Sequence, residues 1–220
     1  MAPSVGRGIG MGYVFSDHAA VGTEVRIAIR KQKVLAKMVK LPFYKHKSLK
    51  GMGLFKKLRI LILGVSGFLG GAIYKELCSY YKTFGTYRTS NSTLENNKLF
   101  YHYNFEEDDI HEVLNVVKPT IVISALRGEF PAQITAHKHL YEYISIQKKC
   151  KIIFLSSANV FDAYSKFPSY ENDTTLSNSI YGHFKIRLEQ LFLKLPTKKV
   201  AIIRLPMVFG PQSPRINELH

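Results

Sequence analysis

Tyr181 and Lys185 stand four residues apart in "SIYGHFKIRLEQ", a spacing that on a helix projects both side chains from one face. A phenol with an ordinary pKa of about 10 is a poor base near neutrality, but a neighbouring ammonium stabilises the phenolate and lowers that pKa. Such a pair can hand a proton to a carbonyl or alkoxide. Taken alone, the spacing also decorates many exposed helix faces. What adds weight is "KIIFLSSANVFD" upstream, where Ser156 and Ser157 end an apolar stretch read as the fifth strand of a sheet. A hydroxyl at the carboxyl edge of that sheet can hydrogen-bond the substrate oxygen while the tyrosine transfers its proton. Ser157, Tyr181 and Lys185 form the candidate catalytic set.

A second group concerns phosphate. In "LRILILGVSGFLG" an apolar strand runs into Gly64, Gly67 and Gly70, and a helix follows. Small residues there let the chain turn, approach a pyrophosphate and pack the helix on the sheet, while the helix N-terminus offers free N–H groups. Ser66, Phe68 and Leu69 complete this expected cofactor-binding loop. A turn with no ligand is the alternative, and the strand-to-helix context favours the ligand. At the end of the next strand, "TYRTSNS" places Arg88 and Thr89 where an acidic residue would accept the ribose hydroxyls of NAD. An arginine there points to the extra phosphate of NADP, with a surface arginine as the plainer reading.

The elements that must position these residues follow from periodicity. Short apolar strands ("LRILIL", "TFGTYR", "KLFYHY", "TIVISAL", "KIIFLSS", "KVAIIRL") alternate with helices at Leu69 to Tyr81, Gln133 to Gln147 and Tyr181 to Leu195. Strands apolar on both faces and separated by helices indicate an α/β fold, a doubly wound parallel sheet of Rossmann type with strand order 3-2-1-4-5-6. The chain of 220 residues, 46% hydrophobic, is long enough for one substantial core and a small appendage. Its net charge of +15 is uneven: residues 1–57 carry 12 Lys and Arg against Asp17 and Glu24. No secretory signal pattern and no apolar run near the roughly 20 residues of a membrane span is present, so a cytoplasmic protein with no membrane partner is expected. Cys78 and Cys150 lack CxxC spacing and read as buried thiols of a reducing compartment, and no metal site is expected.

The N-terminal piece reads differently. Residues 23–41 place Val25, Ile27 and Ile29 on one strand face and Glu24, Arg26 and Arg30 on the other, with "KQK" turning the chain into a hairpin. The lysines read as its solvated face and protected edges rather than a nucleic-acid patch, because no interleaved aromatic readers accompany them. The wording "GIGMGYVFSDHAAVGTEVRIAIRKQKVLAKMVKLPFYK", Gly8 to Lys45, resembles the extreme C-terminus of aminomethyltransferases, the T proteins of the glycine cleavage system. The resemblance implies the last strands of a barrel. The catalytic part of that family has no counterpart here, so an aminomethyltransferase fragment without activity is implied. Met52 reads as the seam, giving residues 1–51 as the β-rich fragment with its basic linker and residues 52–220 as the nucleotide-binding domain.

From residue 58 to about 212 the chain resembles the extended short-chain dehydrogenase/reductases, most closely their dTDP-4-dehydrorhamnose reductase branch. The matching words are "GVSGFLG", "LSSANVFD", "ENDTTLSNSIYGHFK" and "IIRLPMVFGP". The resemblance implies Gly64, Gly67 and Gly70 around a pyrophosphate and Arg88 near a 2′-phosphate. It also implies Tyr181 as proton donor to a keto sugar, Ser157 on its carbonyl, and Lys185 on the nicotinamide ribose. The implied cofactor is NADP, with NAD as the alternative; the implied partner is a nucleotide sugar of the dTDP-sugar class, and a homodimer is an open option. "SALRGEFPAQ" departs from the Ala-rich wording usual after the fourth strand. The sequence also ends about ten residues after "VFGP", where family members continue into a substrate domain, so most of that domain is expected to be missing. Two functions follow: an NADP-dependent reductase or epimerase-like enzyme of nucleotide-sugar metabolism, or a non-catalytic dinucleotide-binding or regulatory module.

Overall fold

The computed structural model describes residues 16–18, 20–29, 32–39, 58–89, 92–164 and 169–208. The chain divides into two units, Met1–Met52 and Gly53–His220. Met52 and the lysine-rich stretch around it lie outside the described residues.

In the first unit β1, Glu24–Ile29, pairs antiparallel with β2, Gln32–Lys37. Alternating β-branched and charged residues suit a two-stranded ribbon. Two residues of the expected turn "KQK" already belong to β2, since Ile29 pairs with Gln32, and Arg30 and Lys31 lie outside the described residues. Ile27 and its cross-strand partner Val34 are both exposed.

The second unit holds six parallel strands: β3 (Arg59–Leu63), β4 (Lys82–Tyr87), β5 (Phe100–His102), β6 (Ile121–Ser124), β7 (Lys151–Ser157) and β8 (Val200–Leu205). Their spatial order is β5-β4-β3-β6-β7-β8, which counted from β3 is the expected 3-2-1-4-5-6. The helices are α1 (Phe68–Leu77), the single turn α2 (Ser92–Glu95), α3 (Ile110–Val117), α4 (Phe130–Ile146) and α5 (Ile180–Phe192). No described helix is long and apolar enough to cross a membrane.

The two-residue period of β3 divides the core between the faces of the sheet. Ile60 and Ile62 join Ile123 and Leu155 beneath Leu69, Ile73 and Leu77 of α1. Leu61 and Leu63 join Leu114, Leu140, Phe154 and Phe192 against α3, α4 and α5. Helix ends are set by local chemistry. Asp109 caps α3 by accepting from His111 N, and Ser179 caps α5 by accepting from Gly182 N. α4 starts earlier than the sequence suggested because Pro131 suits a first turn. α1 stops at Leu77, short of the expected Tyr81, because the chain must turn through residues 78–81 to enter β4.

That early stop corrects one expectation. Cys78 is exposed, whereas Cys150 is buried as expected and burial pushes its thiol up to about 11. At the far end of α4, the buried Lys199 donates to the carbonyls of Ile144, Ser145 and Gln147 at 2.8, 3.0 and 2.9 Å. These are carbonyls the helix terminus leaves unpaired, and a cation suits that end of the dipole.

Candidate active site

Every strand of the second unit points its carboxyl end to one edge, and two cavities open there. The larger, of about 750 Å³, is lined by Ser157, Tyr181 and Lys185 together with Gly67, Phe68 and Leu69. The smaller, of about 160 Å³, is lined by Gly64, Ser66, Gly67, Arg88 and Thr89. Gly67 and the Ala125–Arg127 loop after β6 border both, so the two form one trough across the crevice where the strand order reverses.

The glycine loop shows why its residues are small. Gly64 has a φ of 83°, and an added Cβ would lie 3.0 Å from the Ala125 carbonyl oxygen. Gly70 lines neither cavity. It packs its α-carbon against Gly64, whose carbonyl any Cβ would strike, and so brings α1 close to β3. Gly67 is the N-cap of α1 and contributes no side-chain cap, while Phe68 and Leu69 begin the helix at the floor of the trough. The positive end of the α1 dipole therefore faces both cavities.

Lys185 comes from the buried side of α5. Its Nζ donates to the Leu155 carbonyl at 3.1 Å and lies 5.7 Å from the centroid of the Tyr181 ring. Burial brings its pKa down to about 8, and the Glu189 carboxylate one turn on opposes that fall. Glu189 is itself held by Arg204 of β8, whose Nε and Nη2 donate to its two oxygens at 3.1 and 2.8 Å. Tyr181, 41% exposed, turns its ring toward the trough beside Phe130 and Phe184. Ser157 Oγ donates to Asn159 Oδ1 at 2.8 Å and accepts from Asn159 N at 3.2 Å. The start of α5 is fixed by Asp162, which accepts from Asn178 N at 2.6 Å and from Ser179 Oγ. These bonds hold the Asp162 carboxyl below its usual range.

Gln133 is missing from the sequence-derived set. It is buried, its Nε2 donates to Gly128 O at 2.7 Å, and its Oε1 has no partner among the described residues. Ser156 Oγ is likewise buried and unpartnered, and both residues line the larger cavity. Gln133 was detectable as a polar residue on the apolar stripe Ala136, Leu140 and Tyr143 of α4. His137, on the same stripe, is a core residue. A carbonyl only accepts, so the 2.6 Å contact with Gln133 O places the proton on Nδ1, and Nε2 accepts from Ser124 Oγ at 2.8 Å. Burial holds it neutral, its pKa brought down to about 4.

At the smaller cavity Arg88 is not free: its Nη1 lies 3.2 Å from Glu106 Oε1. Ser90, beside it in the sequence, falls outside the described residues. Away from the trough lining, Asp109, His111 and His139 place potential metal-ligand atoms within 4.8 Å of one another, though Asp109 already caps α3.

Residues 60–219 match the NAD dependent epimerase/dehydratase family. The chain belongs to that family. Residues 1–45 match the glycine cleavage T-protein C-terminal barrel domain, and 45 residues are 56% identical to an aminomethyltransferase of Flavobacterium psychrophilum, covering 20% of this chain and 12% of that protein. Methionine adenosyltransferase 2 subunit beta of Danio rerio is 23% identical over 170 residues, 69% of this chain and 48% of the relative. The chain thus spans about half the length of that curated relative. Among solved structures, dTDP-glucose 4,6-dehydratase of Bacillus anthracis in complex with NAD superposes with a TM-score of 0.60 at 18% identity, covering 72% of this chain and 57% of that one. At that identity the likeness shows the fold this epimerase/dehydratase family member shares.

Proposed function

We propose that residues 58–208 bind a nicotinamide dinucleotide along the trough, NADP in preference to NAD, and that the site is built to reduce the keto group of a nucleotide sugar of the dTDP class. The observation that carries this reading is the convergence of Ser157, Tyr181 and Lys185 with the glycine loop in one cleft at the carboxyl edge. The residues fit the cofactor. Gly64 and Gly70 keep the backbone where a diphosphate would need it, α1 offers its N-terminus, and Gln133 Oε1 and Ser156 Oγ are buried polar groups with no partner among the described residues.

A reduced nicotinamide supplies hydride when bound. The chain's own residues then handle the proton. Tyr181 would donate to the carbonyl oxygen as it gains charge, and Ser157 would hold that oxygen by turning its hydroxyl from Asn159. With a pKa of about 8, Lys185 is mostly charged at neutrality and stabilises the phenolate that Tyr181 leaves. Phe130 and Phe184, stacked at 4.3 Å between centroids, help exclude water from the tyrosine side.

The domain assignment belongs to the same proposal: an aminomethyltransferase-like segment over residues 1–51 and the dinucleotide-binding domain over 52–220. A second reading, a dinucleotide-binding module without turnover, is supported by the likeness to a protein named as a subunit of methionine adenosyltransferase. The discriminating experiment follows NADPH oxidation with a dTDP-4-keto sugar for the full chain and for Tyr181→Phe. Oxidation lost in the variant supports the reductase. Saturable NADPH binding with no oxidation in either protein supports the module.

A further inference from the structure

Four acidic residues, Glu106, Glu107, Asp108 and Asp109, follow β5 in succession, directly after Phe105, which lines the smaller cavity. Local hydrogen bonds order this loop. Asn104 N donates to Asp108 Oδ2 at 2.7 Å, Glu106 N to Asn104 Oδ1 at 3.3 Å, and Glu107 N to Asn104 O at 3.0 Å. Asp109 is committed to the cap of α3, and Asp108 faces His102 at 3.4 Å. Glu106 is the member that reaches the cavity lining, through its 3.2 Å contact with Arg88.

We infer that Glu106 sets how strongly this site separates a 2′-phosphorylated dinucleotide from an unphosphorylated one. The inference rests on the reading of Arg88 as the phosphate partner. A guanidinium already facing a carboxylate presents little net charge to a second anion, and a dianionic phosphate arriving beside Glu106 is repelled by it. The side chains of Arg88 and Glu106 are 51% and 37% exposed, so their pair is weak and exchangeable, whereas a phosphate offers Arg88 two charge-assisted bonds. The phosphate therefore still binds, but against an opposing charge. An unphosphorylated ribose meets no such repulsion and offers hydroxyls that a carboxylate accepts. Glu106 acts as a brake on NADPH and a neutral or helpful neighbour for NADH.

The test is the pair of dissociation constants for NADPH and NADH, measured at low salt on the full chain, for Glu106→Gln, Glu107→Gln, Arg88→Ala and the Glu106→Gln/Arg88→Ala double variant. Glu106→Gln is expected to tighten NADPH by about three- to tenfold while NADH changes by no more than about twofold. Part of the gain, the relief of direct repulsion, should persist in the Arg88→Ala background, and the gain should be smaller in Glu107→Gln, which removes the same charge without the contact. An unchanged or lower NADPH preference in Glu106→Gln overturns the inference, as does an equal gain from Glu107→Gln. If Arg88→Ala leaves the preference unchanged, or neither dinucleotide binds, the underlying cofactor reading fails and the inference falls with it.

Discussion

Lys185→Met should make the protein more stable at neutral pH while removing a group the proposed mechanism uses. Folding takes the ammonium from water to a place where its pKa falls from 10.5 to about 8. At 1.36 kcal/mol per pKa unit, burying the charged form costs about 3 kcal/mol against the neutral amine. Methionine of similar length avoids that cost but gives up the bond to the Leu155 carbonyl, worth about 1 kcal/mol. The expected net gain at pH 7 is about 2 kcal/mol, or several degrees in Tm. The sign of the pH dependence is fixed by the depressed pKa. Between about pH 8 and 10.5 the unfolded chain holds a proton that the folded one lacks, so stability of the native protein rises with pH there. The variant's advantage should therefore shrink by about 2 kcal/mol between pH 7 and pH 9.5. Urea unfolding of both proteins at the two pH values gives this directly. A variant less stable than the native protein at pH 7, with a difference that does not move with pH, would refute the reasoning.

Other perturbations separate scaffold from site. Lys199→Met leaves three carbonyls at the end of α4 without their donor and should cost about 2 kcal/mol in urea unfolding. Arg204→Met strands the buried Glu189 carboxylate and should cost about 3 kcal/mol, most of it recovered when Glu189→Leu is added. Gly70→Val drives a side chain into the Gly64 carbonyl, and dinucleotide affinity measured by calorimetry should fall by at least roughly tenfold.

The parts legible from sequence were those written in short windows. The apolar run Ile60–Leu63 of β3, the glycines after it and the Tyr181/Lys185 spacing each carry their own periodicity, and the strand order follows from the alternation of elements. What escaped depends on residues brought together only by packing. Arg88 meets Glu106 across 18 residues, from one loop to another, and Arg204 of β8 meets Glu189 of α5 across 15. Gln133 carries a signal in the sequence, but an ambiguous one, because one polar residue on an apolar stripe is also what a core histidine such as His137 looks like. The exposure of Cys78 could not be read while α1 was expected to run through it.

The central claim is that the trough holds a nicotinamide dinucleotide. The chain contains no tryptophan, so the nicotinamide fluorescence of NADPH can be followed without transfer from indole. Titrating the full chain into NADPH should give a saturable change with one site per chain, reversed by added NADP. A signal that rises linearly without saturation, or that added NADP leaves untouched, would contradict the claim.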